Sequence, residues 1–172
     1  MNIQNWSRLA GLWEGEGSIC IFQNKRKTGT QKLSVTLTLV NTDATLIREA
    51  SRILAEEGLK FHLWQRPQSN PKWKSAYQLT LRHFGNIKVF LEKIIPFMRG
   101  NKKSIGILTL QFVNSRLRAM EKNRNSPNSE TEKMIFQRVK RMNVKGQVES
   151  SEAIRLTPDG EDMVRTAVKV AE

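Results

Sequence analysis

The chain has 172 residues, enough for about one domain and not for three. With 38% hydrophobic and 26% charged residues, its composition is that of a globular protein, which excludes wholesale disorder, a collagen-like fibre and a disulfide scaffold. A net charge of +13, from 29 Lys and Arg against 16 Asp and Glu, points to a polyanionic partner, with nucleic acid first among them.

The distribution of charge sharpens that reading. No acid occurs between Gly17 and Thr42, Glu92 is the one acid between Gly58 and Met120, and residues 121–172 hold nine of the sixteen. The acid-free windows coincide with expected strands and not with a polar tail, so the positive field belongs to a folded surface. Stretches such as 105–110 fall far short of the roughly 18 apolar residues a membrane span needs. The first six residues have neither a basic start nor an apolar run, so no secretory signal is expected. A lone cysteine, Cys20, neither pairs within the chain nor builds a zinc site, which fits a soluble protein of a reducing, intracellular compartment; cytoplasm, nucleoid and organelle are not distinguished.

Taken in chain order, Ser7 is a cap for a short helix over 8–13, ended by Gly15 and Gly17. A strand over 18–23 leads into the basic turn 25–30. Residues 32–39 then alternate without a break, placing Leu33, Val35, Leu37 and Leu39 on one face and Lys32, Ser34, Thr36 and Thr38 on the other. Asn41, Thr42 and Asp43 offer caps for a helix whose Leu46, Ile47, Ala50, Ile53 and Leu54 recur at helical spacing as far as Gly58. A second strand pair is expected over 59–66 and 75–82, joined by the loop 67–71. Val89, Phe90, Ile94 and Ile95 mark a helix that stops at Pro96, and Ile105, Leu108, Phe112 and Leu117 mark a long one over 102–120. Strands in hairpin pairs separated by helices indicate an α+β fold with an antiparallel sheet. Beyond a polar linker at 123–129, Ser129 and Glu132 form a capping box for a helix through Val139, and Thr157-Pro158 opens another towards Val170. The expected organisation is therefore a core over 1–122 and a linker with a helical extension over 123–172.

The segment Leu9-Ala10-Gly11-Leu12-Trp13-Glu14-Gly15-Glu16-Gly17-Ser18 concentrates small residues, ends in glycines and carries two carboxylates separated by one residue. Gly11 and Gly15 lie four apart on one helix face, where a second backbone can approach, so a close-packed partner helix is implied. A carboxylate at a helix C-terminus is poorly placed against the negative end of the dipole, and a metal cation or a function would explain it. Mg²⁺ suits such a place, since it takes hard oxygen ligands, typically one or two carboxylates completed by phosphate and water.

This segment resembles the LAGLIDADG homing endonuclease motif over ten residues, with Glu at both acid positions and Trp13 bulkier than the usual aliphatic residue. The order helix, hairpin, helix, hairpin, helix is also similar to that family's αββαββα core, over about residues 5–120. The resemblance implies a saddle-like antiparallel sheet seated on double-stranded DNA, and a motif helix packed against its counterpart from a second core. It implies that the second acid, here Glu16, binds a divalent metal such as Mg²⁺ at the scissile phosphates, with the Gly15 carbonyl as a further ligand. Ala10, Gly11 and Glu14 fall to the dimer contact, Glu14 bracing either that contact or the turn. One motif is present, since 104–108 has the small-apolar texture without acids, so cutting both strands calls for a homodimer and a pseudo-palindromic site.

Further roles follow from the same resemblance. Asn41 takes the polar position that helps place water or metal, while capping the next helix with Asp43 is an equal reading of the same residue. Lys102 and Lys103 stand where the family carries a basic active-site residue; an ungapped alignment puts Asn101 on it and leaves the two lysines open. Sequence would be read by the polar face of the sheet, because a two-stranded ribbon fits the major groove. The residues offered are Phe22, Asn24, Arg26, Lys32, Ser34, Thr36, Thr38, Arg66, Gln78, Thr80 and Arg82, with Cys20 beside Phe22. His62, Trp64 and Trp73 are placed to stack or touch backbone, Trp64 being equally suited to the core, and His62 and His83 lack metal-site spacing. The function expected is a homodimeric, Mg²⁺-dependent, site-specific DNA endonuclease. The alternatives are an intron maturase, with intron RNA as partner, and a catalytically idle DNA-binding regulator.

Overall fold

The computed structural model describes residues 3–25, 31–66, 72, 74–123 and 126–144. Helix α1 (Ile3–Gly15) buries Trp6, Leu9, Ala10 and Trp13, the i, i+3, i+4, i+7 stripe of an amphipathic helix. It starts four residues before Ser7, whose hydroxyl donates to the Gln4 carbonyl (2.9 Å) inside the helix, so Ser7 is not the cap that its type suggested. Both tryptophans meet Phe90 edge-on, with centroids 6.2 and 4.6 Å away. Just past the helix, a Cβ at Gly17 would sit 2.5 Å from Trp13 Cδ1, so only glycine lets the chain turn this tightly under the indole.

Strand β1 (Gly17–Lys25) pairs antiparallel with β2 (Gln31–Asn41), from Gly17↔Leu39 to Lys25↔Gln31. Leu33, Val35, Leu37 and Leu39 are buried as their alternation requires. Asp43 caps α2 (Ala44–Glu56), its side chain accepting from the amides of Thr45 (2.8 Å) and Leu46 (3.3 Å). The second hairpin is shorter than the sequence pattern suggested: β3 is His62–Gln65 and β4 is Tyr77–Leu81. Gly58, at φ +70°, lets the Leu59 amide fold back onto the Leu54 carbonyl (2.9 Å), which spends Leu59 on closing α2. At the other end Arg82 leaves the ladder because His83 is already the first residue of the turn into α3 (Phe84–Ile94). The sheet order is β1-β2-β4-β3, so β2 and β4 join the hairpins in the middle.

A short 3₁₀ turn, Ile95–Phe97, carries the chain past Pro96 into α4 (Gly100–Lys122), and a polar linker leads to α5 (Glu130–Met142). The capping box of Ser129 and Glu132 is present, and Ile135, Val139 and Met142 join the same core as the sheet and the other helices. The linker is anchored by a buried ion pair: Arg116 and Glu132, 0% and 1% exposed, meet at 3.4 Å. Arg116 also donates to the Ser126 and Pro127 carbonyls, Ser115 and Asn128 donate to Glu132, and Asn128 in turn accepts the Leu33 amide (2.9 Å). Such a pair is costly to break singly. Glu132→Ala is expected to lower stability by about 3–5 kcal/mol in urea denaturation, whereas replacing both partners with Met should recover much of the loss. An equal loss in the double variant would show that the pair is not what the site depends on. The helix expected after Thr157 lies outside the described residues. Among the described residues no helix is long and apolar enough to cross a membrane.

Candidate active site

The acid motif ends α1 at a junction with the start of α4. Lys102, in the first turn of α4, directs its ammonium at the C-terminal carbonyls of α1 and the first residue of β1: Trp13 O at 2.9 Å, Glu14 O at 2.6 Å and Gly17 O at 2.7 Å. Glu14 reciprocates, accepting the Arg99 amide at the N-terminus of α4, where Arg99 has no side-chain cap of its own. A cation thus sits at the negative end of one helix and a carboxylate at the positive end of the next, the favourable sense for both dipoles. Burial lowers the Lys102 pKa from its ordinary value, and the charges of Glu14 and Glu16 partly offset that effect.

This junction separates the two lysines that the sequence left open: Lys102 is the one bonded to the motif. Asn101, which stands on the family's lysine position, turns away to donate to the Met142 carbonyl at the end of α5 (3.0 Å). All three Lys102 acceptors are backbone carbonyls, so the ammonium caps the end of α1. Lys102→Met is expected to strip the cap and lower stability by on the order of 2–4 kcal/mol in urea denaturation. An unchanged midpoint would mean that the three carbonyls find water instead.

Glu16 takes no side-chain hydrogen bond in this junction. It is exposed, its amide bonds the Leu12 carbonyl (2.9 Å), and its carboxylate forms no hydrogen bond among the described residues. It lines one concavity with Val40, Asn41, Thr42 and Ala76, so the end of α1 and the end of β2 bring Glu16 and Asn41 together. Asn41 Oδ1 accepts the Asp43 amide (2.8 Å), which completes the approach to α2 and leaves the Asn41 amide group to donate elsewhere. Among the described residues no group of three or more His, Cys, Asp or Glu can hold a metal ion. With Glu14 engaged by the Arg99 amide, Glu16 is the carboxylate at this end with no hydrogen bond among the described residues, flanked by the exposed Gly15.

Beside it the sheet presents its open face. The register puts Ser18, Cys20, Phe22 and Asn24 of β1 opposite Thr38, Thr36, Ser34 and Lys32 of β2. Gln78 and Thr80 of β4 stand opposite Val40 and Thr38, and opposite Trp64 and His62 of β3. Phe22 is 39% exposed on this face, and Asn24 donates to Ser34 (3.1 Å). Arg66, Lys32, Thr36 and Thr38 also retain exposure, Arg66 just beyond β3. Trp64 is on the open face and not in the core, with the Arg82 guanidinium carbon 5.9 Å from its ring centre. Cys20 lies among these residues with its pKa raised by burial, against a smaller lowering by Ser18, so it remains a thiol. Ser18 belongs to the face too; period 2 counted back from Cys20 is the signal that finds it.

Two expected roles fail on burial. Thr80 points to the open face but is 1% exposed, its hydroxyl accepting from Gln78 (3.3 Å), so it supports its neighbours and cannot itself touch a ligand. Ala10 is 0% exposed because it lies on the core stripe of α1, so it has no surface to give to a partner chain. Glu14 is engaged within the chain by the Arg99 amide, which ties the end of α1 to the start of α4. Gly11 and Gly15 differ from these: both are exposed, and a Cβ at either would meet nothing within 4 Å. Lys103 makes no side-chain bond to the motif, and Arg26 and Trp73 lie outside the described residues.

The sequence profile of the LAGLIDADG-like domain family matches residues 4–95. No curated protein sequence matches the chain. Among solved structures, the homing endonuclease I-CvuI in complex with its target aligns with a TM-score of 0.63 at 15% identity, over 86% of this chain and 87% of that one. The archaeal intron-encoded homing endonuclease I-Vdi141I, complexed with DNA, gives 0.62 at 14% identity over 86% and 89%. The LAGLIDADG homing endonuclease I-LtrWI, bound to target DNA, gives 0.55 at 21% identity, over 87% of this chain but 47% of that one. At these identities the likeness is one of fold, a mixed helical and antiparallel four-stranded architecture. With the profile covering more than half of its length and the acid motif inside the match, the chain belongs to the LAGLIDADG-like domain family.

Proposed function

We propose that the protein is a site-specific, double-strand DNA endonuclease that acts as a homodimer on a pseudo-palindromic site. The observation that carries this reading is the free Glu16 carboxylate at the end of α1, beside a polar open sheet and next to a helix face on which Gly11 and Gly15 have no intrachain reason to be glycine. Small residues exposed on a helix face permit a second backbone to approach, and a two-fold contact there would set two Glu16 carboxylates side by side. The coverage of 87% of I-CvuI and 47% of I-LtrWI fits a chain that supplies one core of two.

The donor chemistry suits a divalent metal: Glu16 and the Gly15 carbonyl are hard oxygens, the ligand type Mg²⁺ takes. When bound, such an ion supplies charge stabilisation at the scissile phosphate and lowers the pKa of a coordinated water. The chain's own part is mechanical and electrostatic. The sheet holds the duplex, the reciprocal caps of Glu14 and Lys102 fix the end of α1, and Glu16 is held at the DNA side. The Asn41 amide group, with its oxygen already engaged by Asp43, donates to a water or a phosphate oxygen in the same concavity.

Digestion of a randomised double-stranded DNA library, with Mg²⁺ present or chelated, tests the proposal by sequencing of the ends. Metal-dependent cuts at one recovered, near-symmetric site are expected. Intact DNA together with tight binding of a structured intron RNA would establish the maturase reading, and specific DNA binding without cuts the idle regulator.

A further inference from the structure

We infer that Trp64 is a positioning residue for Arg82, and that the two together read a guanine from the β3 side of the open face; this rests on the nucleic-acid reading of that face. Trp64 pairs with Gln78 and His62 with Thr80, while Arg82 lies two residues beyond Thr80. With its guanidinium carbon 5.9 Å from the Trp64 ring centre, the Arg82 side chain meets Trp64 across the register position of Thr80. Thr80, between them in the register, is 1% exposed although its parity points it outward.

The arrangement leaves the chemistry of Arg82 unspent. Arg82 is exposed and makes no hydrogen bond or ion pair among the described residues, and the chain from Gly58 to Met120 carries Glu92 as its one acid. Contact with an aromatic ring engages the face of the guanidinium and leaves the N–H donors along its edge. A planar fork held in a fixed orientation matches the O6 and N7 acceptors of guanine in the major groove. A phosphate is satisfied by a mobile Arg at the rim and needs no such floor. Trp64 supplies orientation without a hydrogen bond to any base, which is why its polar neighbours alone do not reveal it.

The test uses the full chain and a set of duplexes: the site recovered by library selection, and that site with each base pair changed in turn. Wild type should prefer guanine at one symmetry-related pair. Arg82→Ala should reduce that preference by about 5- to 150-fold. Trp64→Leu should reduce it by about 3- to 30-fold while binding to a non-matching duplex stays within about twofold, and Trp64→Phe should restore most of it. The double variant should lose no more than Arg82→Ala alone. Equal weakening on every duplex by Trp64→Leu, or additive losses in the double variant, would overturn the assignment in favour of phosphate contact or simple support. Wild type that binds no duplex at all would overturn the nucleic-acid reading itself, and this assignment with it.

Discussion

A Glu16→Gln protein is expected to bind its DNA site as tightly as wild type, or slightly more so, and to cut it more slowly by about two to three orders of magnitude or more. The substitution preserves length and hydrogen-bonding reach and removes one negative charge. Because the carboxylate has no hydrogen bond among the described residues, only its charge on Lys102 is lost, and circular dichroism should not change. Removing that charge relieves repulsion of phosphate, which is why binding does not suffer. Glu14→Gln is the contrasting control: it weakens the acceptor of the Arg99 amide at the start of α4 and should act mainly on stability. Cleavage by Glu16→Gln at the wild-type rate, measured at saturating protein, would refute the assignment of Glu16 to the chemistry.

Gly11→Leu should separate the proposed dimer without harming the core. A Cβ at Gly11 meets nothing within 4 Å, and glycine in a helix interior costs about 0.8–1 kcal/mol relative to a good helix former. The monomer should therefore hold or gain stability. In a two-fold contact each copy inserts its new side chain, so an overpacking penalty of about 1–3 kcal/mol counts twice, and dimer affinity should fall by about two orders of magnitude or more. Sedimentation at matched concentration reads this directly, and cleavage should fall with dimer population. A Gly11→Leu protein that remains fully dimeric would place the contact on another face. Ala10→Leu is the control from one position away: Ala10 is 0% exposed in the core, so the same enlargement should destabilise the chain instead.

The sequence by itself determined the elements whose code is local. The unbroken alternation of residues 32–39, the Asp43 cap and the Ser129–Glu132 capping box appear in the structure as read, because period and cap chemistry act within one element. The same holds for the α+β class and for the motif at 9–18, which is dense enough to carry the family. Where a second local signal competed, boundaries moved: Leu59 reads as strand by its type but is used by the Gly58 turn to close α2.

Tertiary structure alone decided which chemically equivalent neighbours do different work. Ala10 and Gly11 are adjacent small residues, and only the rotation of α1 against Phe90 and the sheet makes one core and the other surface. Lys102 and Lys103 have the same chemistry; the packing of α4 against the end of α1 brings one of them to carbonyls 85 to 89 residues away. Thr80 and Gln78 share a face by period, yet Thr80 accepts from Gln78 and is left without surface. Trp64 suits core and groove equally by composition until β3 pairs with β4 and turns it outward. Each of these is a long-range contact, set by how elements pack and not by the preferences of the residues within them, and no periodicity in one segment encodes what another will place against it.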